Sequence, residues 1–167
     1  LSIVGNGDEA VASYVQAIQL KPDYAEAYNE LGITFNGLGR LKEAIASCSK
    51  AIQLKPNLAQ AHSNLGTFLR VLDRSEEAIA SFSKAIQLKP DFAEAYNNLG
   101  AAFNDLGRAE EAIASCAKAI QFRPDYAEAR NNIGVAQNYL GRHEEAVASY
   151  LQAIQLKPEC AEVYRNL

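Results

Sequence analysis

The groups in this 167-residue chain that could do chemistry are carboxamides, imidazoles, hydroxyls and thiols. Asn64, Asn98, Asn132 and Asn166 stand 34 residues apart. A carboxamide carries an acceptor and two donors, so it can pair with a peptide bond whatever side chains that peptide bears. The two imidazoles, His62 and His143, fall on different predicted helices. A catalytic histidine needs a positioned partner, and neither has one at readable spacing. Ser47, Ser81, Ser115 and Ser149 recur in one phase inside a predicted helix. They read as repeated surface rather than as nucleophiles. The Leu-Gly-Arg segments at 38–40, 106–108 and 140–142 link helices and make no phosphate-binding loop.

The thiols Cys48, Cys116 and Cys160 make an odd count without metal-type spacing. Cys48 and Cys116 occupy equivalent places two periods apart. Neighbouring helices pack about 8–10 Å apart, so the pair is expected to exceed the roughly 7 Å Cα limit of a disulfide. Three reduced thiols are expected, with no metal and no cofactor, in an intracellular setting. Net charge is -4 without a basic run, which gives a nucleic-acid partner no electrostatic footing. No apolar stretch is long enough to span a membrane, and no secretory signal is present.

These residues must be positioned by something periodic, and the period is explicit. All five prolines, Pro22, Pro56, Pro90, Pro124 and Pro158, stand 34 residues apart. Between residues 21–54 and 89–122, 25 of 34 positions are identical. Gly32, Gly66, Gly100 and Gly134 share a phase. So do Ala44, Ala78, Ala112 and Ala146, the row Ala51, Ala85, Ala119 and Ala153, and the row Arg40, Arg74, Arg108 and Arg142. A period of this length marks one supersecondary unit stacked several times.

Each unit reads as two antiparallel helices. Proline stops the preceding helix, and Asp23 with Glu26 forms the pattern of a capping box, as do Asp91/Glu94 and Asp125/Glu128. Tyr28, Leu31, Gly32 and Phe35 share one face at helical spacing. Gly39, Gly107 and Gly141 suit the left-handed close of the first helix, whereas Asp73 predicts a strained or differently capped turn. The second helix covers roughly residues 42–55. The rows Tyr14, Cys48, Phe82, Cys116, Tyr150 and Tyr28, His62, Tyr96, Arg130, Tyr164 alternate in size. Large residues in one accompany small or polar ones in the other, which predicts shared core volume.

The residues Tyr28, Leu31, Gly32, Phe35, Ala44, Cys48, Ala51 and Pro56 closely resemble the tetratricopeptide repeat, and the resemblance covers essentially the whole chain. It implies an all-α, right-handed superhelix whose first helices line a concave face. By phase the array is a single domain with a partial repeat at 1–24 and full repeats at 25–58, 59–92, 93–126 and 127–160. The start of another lies at 161–167. The chain has no methionine and begins inside a repeat, which reads as a segment of a longer protein.

The resemblance also implies a binding surface. In the family, the position before the Leu-Gly pair faces inward, and here that row is Glu30, Asn64, Asn98, Asn132 and Asn166. It is similar to the asparagine ladder of O-linked N-acetylglucosamine transferases, whose amides hold the backbone of an extended peptide. Glu30 departs from the ladder because a carboxylate has no donor. A second inward row is Asn36, Arg70, Asn104 and Asn138, and Arg70 can pair with an acidic side chain. The row Glu26, Gln60, Glu94, Glu128 and Glu162 would bias a groove toward basic ligands, or serve only as caps. Glu26, Asn29, Gln60, Ser63, Glu94, Asn97 and Glu128 stand where some relatives carry the basic residues of a chaperone-tail clamp, which argues against that ligand.

The expected function is a non-enzymatic protein-interaction scaffold that binds an extended peptide or partner segment, with neither nucleic acid nor membrane as partner. Two alternatives stand beside it. One is the recognition arm of a larger enzyme, such as a glycosyltransferase. The other is a structural array self-associating through apolar ends at Ile18, Leu20, Tyr164 and Leu167.

Overall fold

Proline opens a β-turn at the start of every period. In the computed structural model, Tyr24 N–H donates to the Lys21 carbonyl at 3.1 Å, and Leu58, Phe92, Tyr126 and Cys160 repeat this bond to Lys55, Lys89, Arg123 and Lys157. Proline suits the second position of such a turn because its ring fixes φ. The structure describes residues 2–167, without the side chains of residues 2–6 and 162. Between turns lie pairs of helices, and no strand occurs among the described residues.

Unit 1, Leu1–Leu88, holds α1 (Ser2–Leu20), α2 (Ala25–Gly37), α3 (Leu41–Leu54), α4 (Ala59–Val71) and α5 (Ser75–Leu88). Unit 2, Lys89–Leu167, holds α6 (Ala93–Asp105), α7 (Ala109–Phe122), α8 (Ala127–Tyr139), α9 (His143–Leu156) and α10 (Ala161–Asn166). Helix α1 begins well before the residue 8 that the period predicts. In unit 1, α2 packs on both α3 and α4; in unit 2, α6 packs on both α7 and α8. Among the described residues the second helices make no comparable contact with one another, α3 with α5 or α7 with α9. Within each unit the first helices therefore crowd together on the inner side.

The capping boxes do not form. Helix α2 starts at Ala25 with Tyr24 at its N-cap and no side-chain cap bond, because Asp23 is used as the third residue of the β-turn. Glu26 instead meets Lys55 Nζ at 2.6 Å, and Glu128 meets Lys157 Nζ at 2.8 Å. Each lysine holds its carboxylate below the usual range, chiefly through that hydrogen bond. These contacts are present at neutral pH and are lost as pH falls through the lowered carboxylate values. The side chain of Glu162 lies outside the described ones.

The arginine row ties the second helices to the turn before them. Arg40 pairs with Glu43 and Arg108 with Glu111, each three residues on, and Arg74 meets Glu77 at 2.6 Å. The Arg40 and Arg108 guanidinium groups also cover the rings of Phe35 and Phe103, at 4.4 and 4.6 Å.

The core forms where glycine faces the second helix. A Cβ on Gly32 would lie 2.7 Å from Cys48 Sγ, and one on Gly66 would lie 2.8 Å from the Phe82 ring. Cys116 and Tyr150 fill the same space opposite Gly100 and Gly134. Tyr96 packs against the cluster of Cys116, Ala119 and Tyr126, as shared volume requires. His62 and Arg130 turn away from the core: His62 Nε2 lies 3.0 Å from the Pro56 carbonyl, and Arg130 donates to the Pro124 carbonyl at 3.3 Å. At 62, 96 and 130 the row thus exchanges an aromatic that packs for a polar group that ties down the preceding turn.

The first helices close with the hydrogen bonds of a Schellman motif. Arg40 N–H donates to Phe35 O at 2.8 Å and Gly39 N–H to Asn36 O at 2.9 Å. Gly39, Gly107 and Gly141 have φ of 73°, 69° and 74°. Asp73 is forced into the same geometry at φ 57°, with Arg74 N–H donating to Leu69 O at 3.0 Å. A side chain in that region costs about 1–2 kcal/mol, less for aspartate. Asp73→Gly is expected to stabilise the protein by about 0.5–1 kcal/mol, read as a higher denaturant midpoint at unchanged m-value. A lower midpoint would show that the Asp73 side chain contributes more than its backbone strain costs.

Candidate functional site

In each unit two adjacent polar rows, mostly asparagine, run along the first helices. Asn29, Asn97 and Asn131 are 3%, 7% and 4% exposed, and Ser63 fills the equivalent place in α4. Asparagines buried to this degree must find partners, and the next repeat supplies them. Asn64 Nδ2 donates to Asn29 Oδ1 at 2.9 Å in unit 1. In unit 2, Asn132 Nδ2 donates to Asn97 Oδ1 at 2.9 Å and Asn166 Nδ2 to Asn131 Oδ1 at 3.0 Å. The buried amides donate onward: Asn97 Nδ2 to Asn98 Oδ1 at 3.3 Å, and Asn29 Nδ2 to Glu30 Oε1 at 3.1 Å.

Asn64, Asn98, Asn132 and Asn166 are thus half-buried and held by neighbouring amides. One N–H and at least one lone pair of Asn64, Asn132 and Asn166 remain beyond the bonds just described, given the capacity of a carboxamide. Glu30 needs only to accept in order to satisfy Asn29, so the substitution leaves the seam intact. The buried row is the one whose role sequence reasoning missed. Its signal was present, as polar residues at 29, 63, 97 and 131 recurring in the phase of the packing residues.

The second row is spent largely on the fold. Asn104 Nδ2 donates to the Asn132 backbone carbonyl at 2.9 Å, joining α6 to α8. Asn138 Nδ2 donates to Tyr150 Oη at 3.3 Å, and its Oδ1 lies 3.0 Å from His143 Nδ1. Asn36 is half-buried near the end of α2. Arg70 sits in the last turn of α4, where the helix carbonyls favour a cation. Both histidines are therefore engaged in holding loops and helix ends. Among the described residues no group of His, Cys, Asp and Glu could hold a metal ion, and no helix is long and apolar enough to cross a membrane.

Comparison with known proteins agrees with the repeat fold. Family models described as "Tetratricopeptide repeat" match residues 91–159 and 25–58, and one described as "TPR repeat" matches 5–39 and 72–107. No curated protein matches the chain in sequence. Among solved structures, MamA superposes with a TM-score of 0.82 at 29% identity, covering 95% of this chain and 92% of that one. YrrB, described as a TPR protein with an unusual peptide-binding site, has a TM-score of 0.79 at 27% identity, covering 99% and 85%. TTC0263 from Thermus thermophilus shares the fold, with a TM-score of 0.78 at 22% identity over 98% and 90% of the two chains.

The thiols stand apart from this face in reactivity. All three are free. Burial pushes Cys48 and Cys116 up to about 12, and the Glu30 carboxylate adds to the effect at Cys48. Both stay protonated throughout the range in which thiols are usually modified. A thiol-specific reagent at pH 8 is expected to modify only the half-buried Cys160 in the native protein and all three cysteines after denaturation. Rapid modification of more than one native thiol would contradict this packing.

Proposed function

The chain belongs to the tetratricopeptide-repeat family, an all-α solenoid of helix pairs, and on that premise we propose that it is an interaction scaffold whose inner face holds an extended peptide segment of a partner protein. Asn64, Asn98, Asn132 and Asn166 contact the peptide main chain. Asn36, Arg70, Asn104 and Asn138 flank them as secondary contacts. The observation that supports this reading is the seam itself: amide-to-amide bonds orient the rungs, and Asn64, Asn132 and Asn166 keep donor and acceptor capacity beyond them. Pre-oriented groups bind with a smaller loss of side-chain entropy. A backbone-directed grip also suits a partner recognised in extended form. YrrB, a structural neighbour, is itself described as having a peptide-binding site. The histidines are committed to structural bonds, in keeping with a binding module rather than a catalyst.

The test is a displayed library of random 12-residue peptides, followed by affinity measurement on the selected sequences. Replacing Asn64, Asn98 and Asn132 together by alanine is expected to weaken binding on the order of tenfold or more, at about 0.5–1.5 kcal/mol per lost bond. The variant also loses inter-repeat bonds, so binding is compared below its measured unfolding temperature. Unchanged affinity in a folded variant would remove the ladder from the account.

A narrower second reading is association between copies. Leu20, Tyr164 and Leu167 are exposed, although Ile18 packs against the Cys48 cluster instead of lying open. Light scattering over a concentration series is expected to show mass rising with concentration if these residues associate. A constant monomer mass at the highest concentration would eliminate this reading.

A further inference from the structure

Glu30 breaks the asparagine row, and it does so beside a second departure. It is exposed on α2, and among the described residues its carboxylate accepts one hydrogen bond, from Asn29 to Oε1. Three cations of unit 1 are paired with other carboxylates, Lys55 with Glu26, Arg40 with Glu43 and Arg74 with Glu77. No ion pair reaches Glu30 among the described residues. On the same face of the helix, three and seven residues on, stand Ile33 and Gly37. Ile33 is 40% exposed. Gly37 occupies the place that Val71, Asp105 and Tyr139 fill in the later repeats, and a Cβ there would meet nothing within 4 Å.

A carboxylate, an exposed isoleucine and an open place thus lie along one stripe of α2. We infer that this stripe receives a lysine or arginine side chain of the bound peptide, with Glu30 pairing the cationic head and Ile33 covering the methylene stem. Such side chains bury their stems on apolar surface while the charged end stays polar. Neither departure is needed by the fold. Asparagine serves the row at 64, 98 and 132, and valine is accommodated at 71, the position equivalent to Gly37. The inference rests on the groove reading above and adds the charge of one ligand residue to it.

The probe is the same 12-residue library, with each position of a selected peptide then replaced in turn by Lys, Arg, Ala and Glu. The wild-type protein is expected to require Lys or Arg at one position. Glu30→Asn, which restores the ladder residue, is expected to lower affinity for the basic peptide about three- to tenfold and to abolish that preference. It should not weaken binding of the alanine-substituted peptide. Gly37→Val is expected to weaken the basic peptide without altering charge, and raising ionic strength should weaken wild type more than Glu30→Asn. Unfolding curves establish that both variants are folded. Peptides bound without a basic preference, or a preference that survives Glu30→Asn, overturn this inference and leave the groove reading standing. Failure of the wild type to retain any peptide overturns both.

Discussion

No side chain fits between the two helices of a repeat at Gly32, Gly66, Gly100 or Gly134, and the rest of the structure follows from that closeness. The opposing residues, Cys48, Phe82, Cys116 and Tyr150, are almost wholly buried, as are Ala44, Ala78, Ala112 and Ala146. With no slack at the contact, each pair of helices docks in one way. Residues 35 positions apart then meet at nearly constant distance: 2.9 Å for Asn64 with Asn29, 2.9 Å for Asn132 with Asn97 and 3.0 Å for Asn166 with Asn131. Two of these pairs lie in unit 2 and one in unit 1, so the agreement reflects the repeated local packing rather than any single contact.

That constancy gives the asparagines two roles that cannot be separated by composition. The buried amides must be satisfied, because a buried polar group without a partner costs about 1–3 kcal/mol. Among the described residues no buried side-chain nitrogen or oxygen is left without one. The outer amides do this work, and they are also the groups to which the proposed reading assigns the peptide. A row of asparagines therefore follows partly from the packing behind it. Any capacity to bind would lie in the part of a carboxamide that the neighbouring repeat does not use.

The helix pairs and their core were legible because packing residues repeat in strict phase and helical spacing puts Tyr28, Leu31, Gly32 and Phe35 on one face. The turn at each proline was misread. Asp23 and Glu26 have the spacing of a capping box, but that spacing does not register that Lys21-Pro22-Asp23-Tyr24 closes a β-turn first, which moves the helix start to Ala25. Glu26 then finds Lys55, a partner from the far end of the next helix that only the folded repeat brings near. The arginine row was visible as a phase but mute as to purpose, since its ring and carboxylate partners lie on opposite sides of the turn. At the site, the exposed row was readable, while the buried row behind it required knowing which amide faces which. Asp73 was anticipated as a strained turn from its identity alone, because the left-handed conformation disfavours any residue with a Cβ.

Departures from phase carry different information according to where they fall. At a packing position they are constrained by volume, as when Cys48 gives way to Phe82 opposite an unchanged glycine. At a turn they are constrained by backbone conformation, and Asp73 marks the limit of what is tolerated there. On the inner face neither constraint applies strongly. Glu30 satisfies Asn29 as well as an asparagine would, and Gly37 leaves space that larger side chains occupy at 71, 105 and 139. What changes at those two positions is charge and room. A peptide gripped through its backbone would bind almost irrespective of sequence, so discrimination among partners has to come from such fold-neutral positions. The packing rows fix where the first helices lie within each unit, and the irregular residues along α2 are where a preference for one ligand side chain would be written.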